Sequence, residues 1–367
     1  MKKLASAAAI VLGTFAFAQA GSVNTVAQTG DNNSADILQK TGVGNHSNQS
    51  TQVGDQNSVL VRQSAGLNKT TTYQEGDYNQ ATSLQGHTTW GSSNTVIQTQ
   101  IGDWNKATAE QYQNWDEYIT QVQDGAGNTA HAYQIAGARM YADQIQIGDN
   151  NTATSSQTAV GPSIPTWATN NDVDQIQMGD HNTAAATQSG WGNDLDQVQV
   201  GDYNTMSAAQ DGIQNMSAQY QEGDWNMASI TQSGDENEGT QSQVGDGNYA
   251  SMSQTLGDGN KAVQAQAGDG NTAYAVQSGD LNIISGGQYG DSNWASVSQT
   301  GSMHTSLYSQ TGDHNILTNT QSGSGHSSIS SQTGDWNVST VTQKQSGHSH
   351  IGIQSGNGNS ILAVQGN

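Results

Sequence analysis

Three histidines in the C-terminal part of the chain, His304, His326 and His348, stand 22 residues apart. Imidazole titrates near neutrality and ligates zinc or copper, so a column of such residues has the chemistry of a pH-responsive or metal-scavenging stripe. Each also stands where neighbouring segments carry Asn, and the plainer reading is one polar turn residue replacing another. His348 and His350 share a strand face, but two histidines make no catalytic centre. Trp104, Trp225 and Trp336 recur at the variable position of Gly-Asp-x-Asn turns. They suit contacts to sugars or surfaces, or the simpler task of covering a neighbouring turn. No catalytic residue, cofactor or metal is expected, and the chain reads as a non-enzyme.

What must position these residues is a short repeat, Gln-x-Gly-Asp-x-Asn-x-Ala-x-x-x, about 11 residues long. Its glutamines are Gln199, Gln210, Gln221, Gln232, Gln243, Gln254, Gln266, Gln277, Gln288, Gln299, Gln310, Gln321, Gln332, Gln343, Gln354 and Gln365, with one 12-residue slip between Gln254 and Gln266. A fixed short period means one small unit stacked on copies of itself. Gly257-Asp258-Gly259-Asn260 is similar to calcium-binding β-roll repeats, but those need a nine-residue period with further glycines.

Hydrophobic residues are 32% of the chain, charged residues 11%, and Gly numbers 44. Such composition usually signals disorder, yet disorder does not keep register over hundreds of residues. Order is therefore expected from backbone and amide ladders rather than from a thick apolar core. Lys2 and Lys3, the apolar run from Leu4 to Phe17 and Ala18-Gln19-Ala20 read as a signal peptide over 1–20, with the mature chain starting at Gly21 and exported. Without Lys2 and Lys3, seven Lys+Arg face 31 Asp+Glu, a formal charge of −24. That balance argues against nucleic acid as a partner, and no later segment suits membrane insertion. The chain has no cysteine, so extracellular stability would owe nothing to disulfides.

Within one unit, Asn248, Ala250, Met252 and Gln254 alternate with Tyr249, Ser251 and Ser253, the period of a strand. Gly tolerates positive φ, and Asp and Asn are expected to bond locally to turn backbone. Such turns comprise Gly223, Asp224 and Asn226; Gly245, Asp246 and Asn248; Gly268, Asp269 and Asn271; Gly290, Asp291 and Asn293; Gly312, Asp313 and Asn315; and Gly334, Asp335 and Asn337. Turn chemistry alternates every 22 residues, so two units make one coil. The expected fold is all-β: a two-sheet β-solenoid of about fifteen coils of 22 residues over 21–367, stacked parallel and in register. Stacked Gln and Asn would pass amide bonds from coil to coil, while the Asp column must face solvent, since unit charges about 5 Å apart repel by roughly 1 kcal/mol in water.

On Gln221, Gly223, Asn226, Ala228 and Gln232, and again on Gln266, Gly268, Asn271, Ala273 and Gln277, the unit resembles the curlin repeat of the major curli fibre subunit, a bacterial functional amyloid. The resemblance covers roughly 22–367. It implies self-assembly into cell-surface fibres, export through the curli secretion pore, nucleation by a minor nucleator subunit, and roles in biofilm matrix and adhesion. The chain departs from that family in its far larger number of repeats and in lacking a Gly-rich segment after the leader.

Irregular coils are expected around 85–143, and a loop insertion over 158–174 carries both prolines, which cannot donate to a ladder. Val26 and Gln28 at one end, and Ile361, Ala363 and Gln365 at the other, already have strand register and are expected to be fibre ends. Uncapped complementary edges generate an open head-to-tail filament. The alternatives are a minor nucleator curlin and a non-polymerising solenoid that binds ice or a ligand. The latter calls for a flat outward array such as Thr-x-Thr and end caps, neither of which stands out in the linear sequence.

Overall fold

The computed structural model describes residues 22–40, 45–64, 66–86, 93–113, 116–159 and 169–366. Both the expected leader and the prolines of the 158–174 insertion lie outside the described residues. The chain divides into two compact units, Met1–Asn170 and Asn171–Asn367. Among the described residues there is no helix. The first unit contains twelve strands, from Val23–Thr29 to Thr152–Thr158, and the second eighteen, from Asp172–Met178 to Ser360–Gln365.

In each unit successive strands join alternate sheets, so a strand pairs with the one after next. The first unit thus contains six coils and the second nine. Within each unit the described strands pair parallel and in register: Gln210, Gln232, Gln254 and Gln277 are direct neighbours. The two-beat reading is therefore correct, and each unit is a two-sheet β-solenoid. We call the sheet that opens each coil the first sheet and its companion the second.

Most strands have seven residues and alternate inward and outward. The inward residues are small or slender, which allows the two walls to close on each other. In the second unit Val173, Leu195, Ile230, Met252, Ile284, Val297 and Leu317 belong to one apolar cluster, and Ala228, Ala273, Ala275 and Ala295 are no more than 1% exposed. The slip between Gln254 and Gln266 is absorbed outside the strands. Leu256 takes φ +57° and stands 83% exposed, so both flanking strands keep their register. Between 85 and 143 the strands also keep seven residues and their pairing, and the extra residues lie in the connections.

Candidate functional site

The turn at Gly223-Asp224-Trp225-Asn226 stands for its column. Gly223 has φ +107°, and a Cβ there would lie 2.3 Å from the carbonyl oxygen of Gly245. Both the dihedral and the close approach of the next coil require glycine. The backbone N–H of Asp224 donates to Oδ1 of Asp246 at 2.8 Å, and the same bond joins Asp246 to Asp269 and Asp269 to Asp291. It continues from Asp291 to Asp313 and from Asp313 to Asp335. Sequence reasoning assigned these side chains to local turn bonds. Instead they bridge coils, because in-register stacking places each carboxylate over the preceding turn's N–H. A charge-assisted bond of this kind offsets the repulsion along the row, and the carboxylates do stand exposed or half-buried at the surface.

Asn226, in contrast, is buried. Its Oδ1 accepts the N–H of Asn248 at 2.9 Å, and its Nδ2 donates to the carbonyl of Gly245 at 2.7 Å. Asn248, Asn271 and Asn293 repeat the pattern, and the Oδ1-to-N–H link continues through Asn315 and Asn337. Each Asn thus satisfies a donor and an acceptor that a buried turn would leave costly.

The sixteen glutamines sort into two columns, one per sheet. Gln199, Gln221, Gln243, Gln266, Gln288, Gln310, Gln332 and Gln354 are joined Nε2–H to Oε1 at 2.7–3.0 Å. Gln210, Gln232, Gln254, Gln277, Gln299, Gln321, Gln343 and Gln365 form the other column with the same spacing. The second Nε2–H crosses to the facing sheet: Gln221 donates to the Thr205 carbonyl, and Gln232 to that of Met216. The ladder therefore ties coil to coil and wall to wall. The first unit has its own columns, such as Gln39 to Gln63 to Gln85 to Gln111.

Sequence reasoning missed one further column. Gln175, Gln197, Gln219, Gln241 and Gln264 stack two residues before the main glutamines of the first sheet. Its trace was the recurring Gln-x-Gln of those strands. The column stops at Gly286, where a Cβ would lie 1.9 Å from the ring of Tyr308. Tyr308, one coil further, fills that space, and the Nε2 of Gln264 at the end of the column is buried without a hydrogen-bond partner among the described residues. Burial pushes the phenol's pKa far up.

The histidines do form a column. His304 and His326 stack with centroids 4.9 Å apart, and His326 and His348 follow at 5.3 Å. Nδ1 of His304 accepts the N–H of His326, and Nδ1 of His326 accepts that of His348, both at 3.2 Å. Nε2 of His304 and of His326 faces a backbone carbonyl, so that nitrogen carries the proton and donates. Both ring nitrogens of these two residues are thus engaged, which leaves no lone pair for a metal. Burial holds His304 below its ordinary pKa, with His326 adding to the effect against carbonyl hydrogen bonds that raise it.

Trp104, Trp225 and Trp336 are 63–65% exposed and each stacks on the preceding coil's turn residue. The partners are Tyr78, Tyr203 and His314, at 4.1–4.4 Å. The covering role expected from sequence is thus present, one ring face lying on a neighbouring coil while the indole stays exposed.

The columns have a polarity. Glutamine Nε2 always donates toward the later coil, so Gln28 and Gln39 in the first coil donate onward to Gln52 and Gln63, and among the described residues no donor reaches their Oε1. Gln354 and Gln365 donate to the backbone at Val338 and Ser349, and among the described residues no later amide accepts from them. The Asn column runs the other way, from Asn359 N–H back to Asn337 Oδ1. Val26, Ile361, Ala363 and Gln365 point inward but are only half-buried, unlike their equivalents inside the stack. Comparison with protein-family models gives no match to this chain, and comparison with curated proteins gives none either.

Proposed function

We propose that this chain is the main structural subunit of an extracellular functional-amyloid fibre of the curli kind, assembling head to tail. The observation that carries the reading is the polarity of the columns. The last coil offers Nε2–H groups at Gln354 and Gln365, and the first coil offers Oε1 acceptors at Gln28 and Gln39. A second copy docked in register continues both glutamine columns, while Asn359 Oδ1 meets the N–H of Asn33 in the opposite sense. Each contact replaces a water-facing ladder group with the partner that every internal coil already has. A heterologous contact of this sort does not close and so propagates.

The remaining parts of the reading follow the curlin resemblance: export through a secretion pore, initiation by a minor nucleator subunit, and a role in biofilm matrix and adhesion at the cell surface. Fifteen coils in one chain suit a building block better than an initiator. The test is to release purified mature chain from denaturant and to follow thioflavin fluorescence and fibre diffraction. Fibres with a 4.7–4.8 Å meridional spacing are expected, and Gln28→Leu with Gln39→Leu should slow elongation while the monomer's strand content is unchanged. A chain that stays monomeric for days overturns the reading. Assembly should also quicken as pH falls toward the sequence pI of about 4.3, because the mutual repulsion of acidic copies weakens.

A further inference from the structure

The outward side of the second sheet in the second unit differs in chemistry from the other sheet faces. Its nine strands, from Thr183–Trp191 to Ser360–Gln365, pair in register, so their first, third and fifth residues form three rows across the coils. No residue in these three rows is charged, in a chain with a net charge of −22; the outward row at the seventh strand position, along the margin, adds Asp211 and Lys344, one of each sign. Ser and Thr dominate, and Thr318 with Thr320 and Thr340 with Thr342 stand in adjacent coils. This is the outward Thr-x-Thr array that did not stand out in the linear sequence, because stacking is what brings its members together. The first sheet of the same unit instead carries Asp172, Asp174, Asp194 and Asp196 as a block on its outer side. In the first unit, Asp36, Arg62, Lys106 and Glu110 stand on the outer side of the second sheet.

We propose that this neutral face binds the same face of a second copy, sheet against sheet. The absence of charge is what a self-pairing surface needs. Two copies this acidic repel wherever carboxylates meet, and like charges brought together at an interface are costly. Nine strands about 4.8 Å apart and roughly 17 Å of strand cover about 700 Å² per copy, close to the roughly 800 Å² per partner of a stable standard interface. Short hydroxyl side chains let two such sheets approach and interdigitate, as in dry cross-β contacts. The bulk is concentrated at the middle. Tyr274 lies on the fifth of the nine strands, with Tyr249 and Trp294 on the strands either side, at ring centroids 5.5 and 6.4 Å from it. A two-fold axis lying over that strand, between the facing sheets, brings the aromatic groups of both copies to the centre, with Ser, Thr and a few exposed aliphatic residues such as Met227, Ile316 and Leu362 around them. A neutral polysaccharide gives no reason to exclude carboxylates. The three rings, inclined by 48° and 56°, also present no common plane to a run of sugar rings.

This lateral pairing is separate from end-to-end docking and does not depend on it. The chain has no cysteine, so Val276→Cys, outward on the central strand, supplies the only thiol of the full-length protein. A bismaleimide reaching about 10 Å, the spacing of packed sheets, should join two such chains. Ala265→Cys, outward on the first sheet, is the control. End-to-end neighbours keep equivalent thiols at least nine coils apart, about 43 Å, which is beyond the reagent. The expected result is crosslinked dimer from Val276→Cys at about tenfold or more over the control, falling about tenfold when Ser251→Glu and Ser296→Glu are added, with circular dichroism unchanged. Equal yields at the two sites, or a yield indifferent to the added glutamates, overturn the proposal. So does retention of the chain on insoluble neutral glucan with no crosslink, which makes the face a carbohydrate site. Fibres without crosslinks sink lateral pairing alone, and crosslinks without fibres sink end-to-end assembly alone.

Discussion

The two sheets of the second unit follow one backbone pattern and carry opposite chemistry. The first sheet turns glutamines inward at two positions from Gln175 to Gln264 and puts carboxylates outside. The second turns one glutamine column and an apolar row inward, with Ala208, Ile230, Met252 and Ala275 among its members, and carries three uncharged rows outside. The amide-rich wall is tolerated because its amides pair from coil to coil up to Gln264, whereas the apolar wall needs only volume to be filled. Shape follows the same division. Gly239 of the first sheet leaves space taken by the sulfur of Met252 and by Ile230. An amide column is therefore sensitive to continuity and an apolar row to size.

The largest effect that tests this contrast is Gln243→Leu. It leaves the Nε2–H of Gln221 and the Oε1 of Gln266 unpaired inside the stack, at about 1–3 kcal/mol for each orphaned group. In the facing row, Met252→Leu keeps the volume and should cost less than about 1.5 kcal/mol. Denaturant unfolding of the two variants measures the difference, and equal losses would remove the distinction between the walls.

Next in size is Gly286→Ala, where the glutamine column gives way to Tyr308. The added methyl meets the tyrosine ring and should destabilise by about 1–3 kcal/mol through overpacking. Tyr308→Ser in the same chain should recover part of that loss, a coupling read from a double-mutant cycle. Additive losses would mean that the ring does not fill the glycine's space.

A third test is confined to acid. Burial lowers the pKa of His304, so between its folded and unfolded pKa values the unfolded chain binds more protons than the folded one. Stability from the neutral His304 ring is complete above the unfolded value near 6.5. It falls as pH drops from there toward the folded value. Protonation at Nδ1 would also set two donors against each other at the His326 N–H. Replacing His304, His326 and His348 by Asn, the residue other coils carry, should flatten the decline between pH 6.5 and 5 in thermal melts, although His46 and His350, also lowered by burial, retain a part of it. An unchanged slope argues against the histidine column as its source.

The smallest expected effect on stability comes from the outer surfaces. Ser251→Asp on the neutral face should change unfolding by no more than about 0.5 kcal/mol, as surface substitutions usually do. On the acidic side, desolvation raises the pKa of Asp194, and that of Asp196 with the charge of Asp194 contributing. Asp196→Asn should therefore make stability less dependent on pH just above the ordinary carboxylate range, where the native protein loses stability as these groups ionise. Identical melts for the two chains across that window would show that the block is not strained by its charge.

Much of the fold was legible because the repeat states it many times. The 11-residue spacing of Gln210, Gln221 and Gln232 gave strand, turn and two-sheet coil, and the alternation of turns gave the 22-residue step. The histidine column was visible for the same reason, since His304 and His326 stand in an Asn position. Less legible were the partners. Asp224 read as a local turn former, because a linear sequence shows neighbours four residues away and not the turn stacked above. The column through Gln241 was present as Gln-x-Gln but was not separated from the main one. Tyr308 and Gly286 carried no signal at all, since a hole and its filler are related only once two coils are stacked.

The sequence alone determined the unit: its period dictates a strand and a turn, and its alternation decides which residues face inward. Those are properties of a short stretch of chain, so sequence suffices for them. Only the tertiary structure decided which side chains are neighbours across coils. That stacking converted single residues into columns with a donor end and an acceptor end, and it gathered Ser, Thr and three aromatic residues into three uncharged rows of one face. The physical reason is register. Residues 22 apart, or 23 where the turn takes one more, become nearest neighbours only when the coils settle on one another.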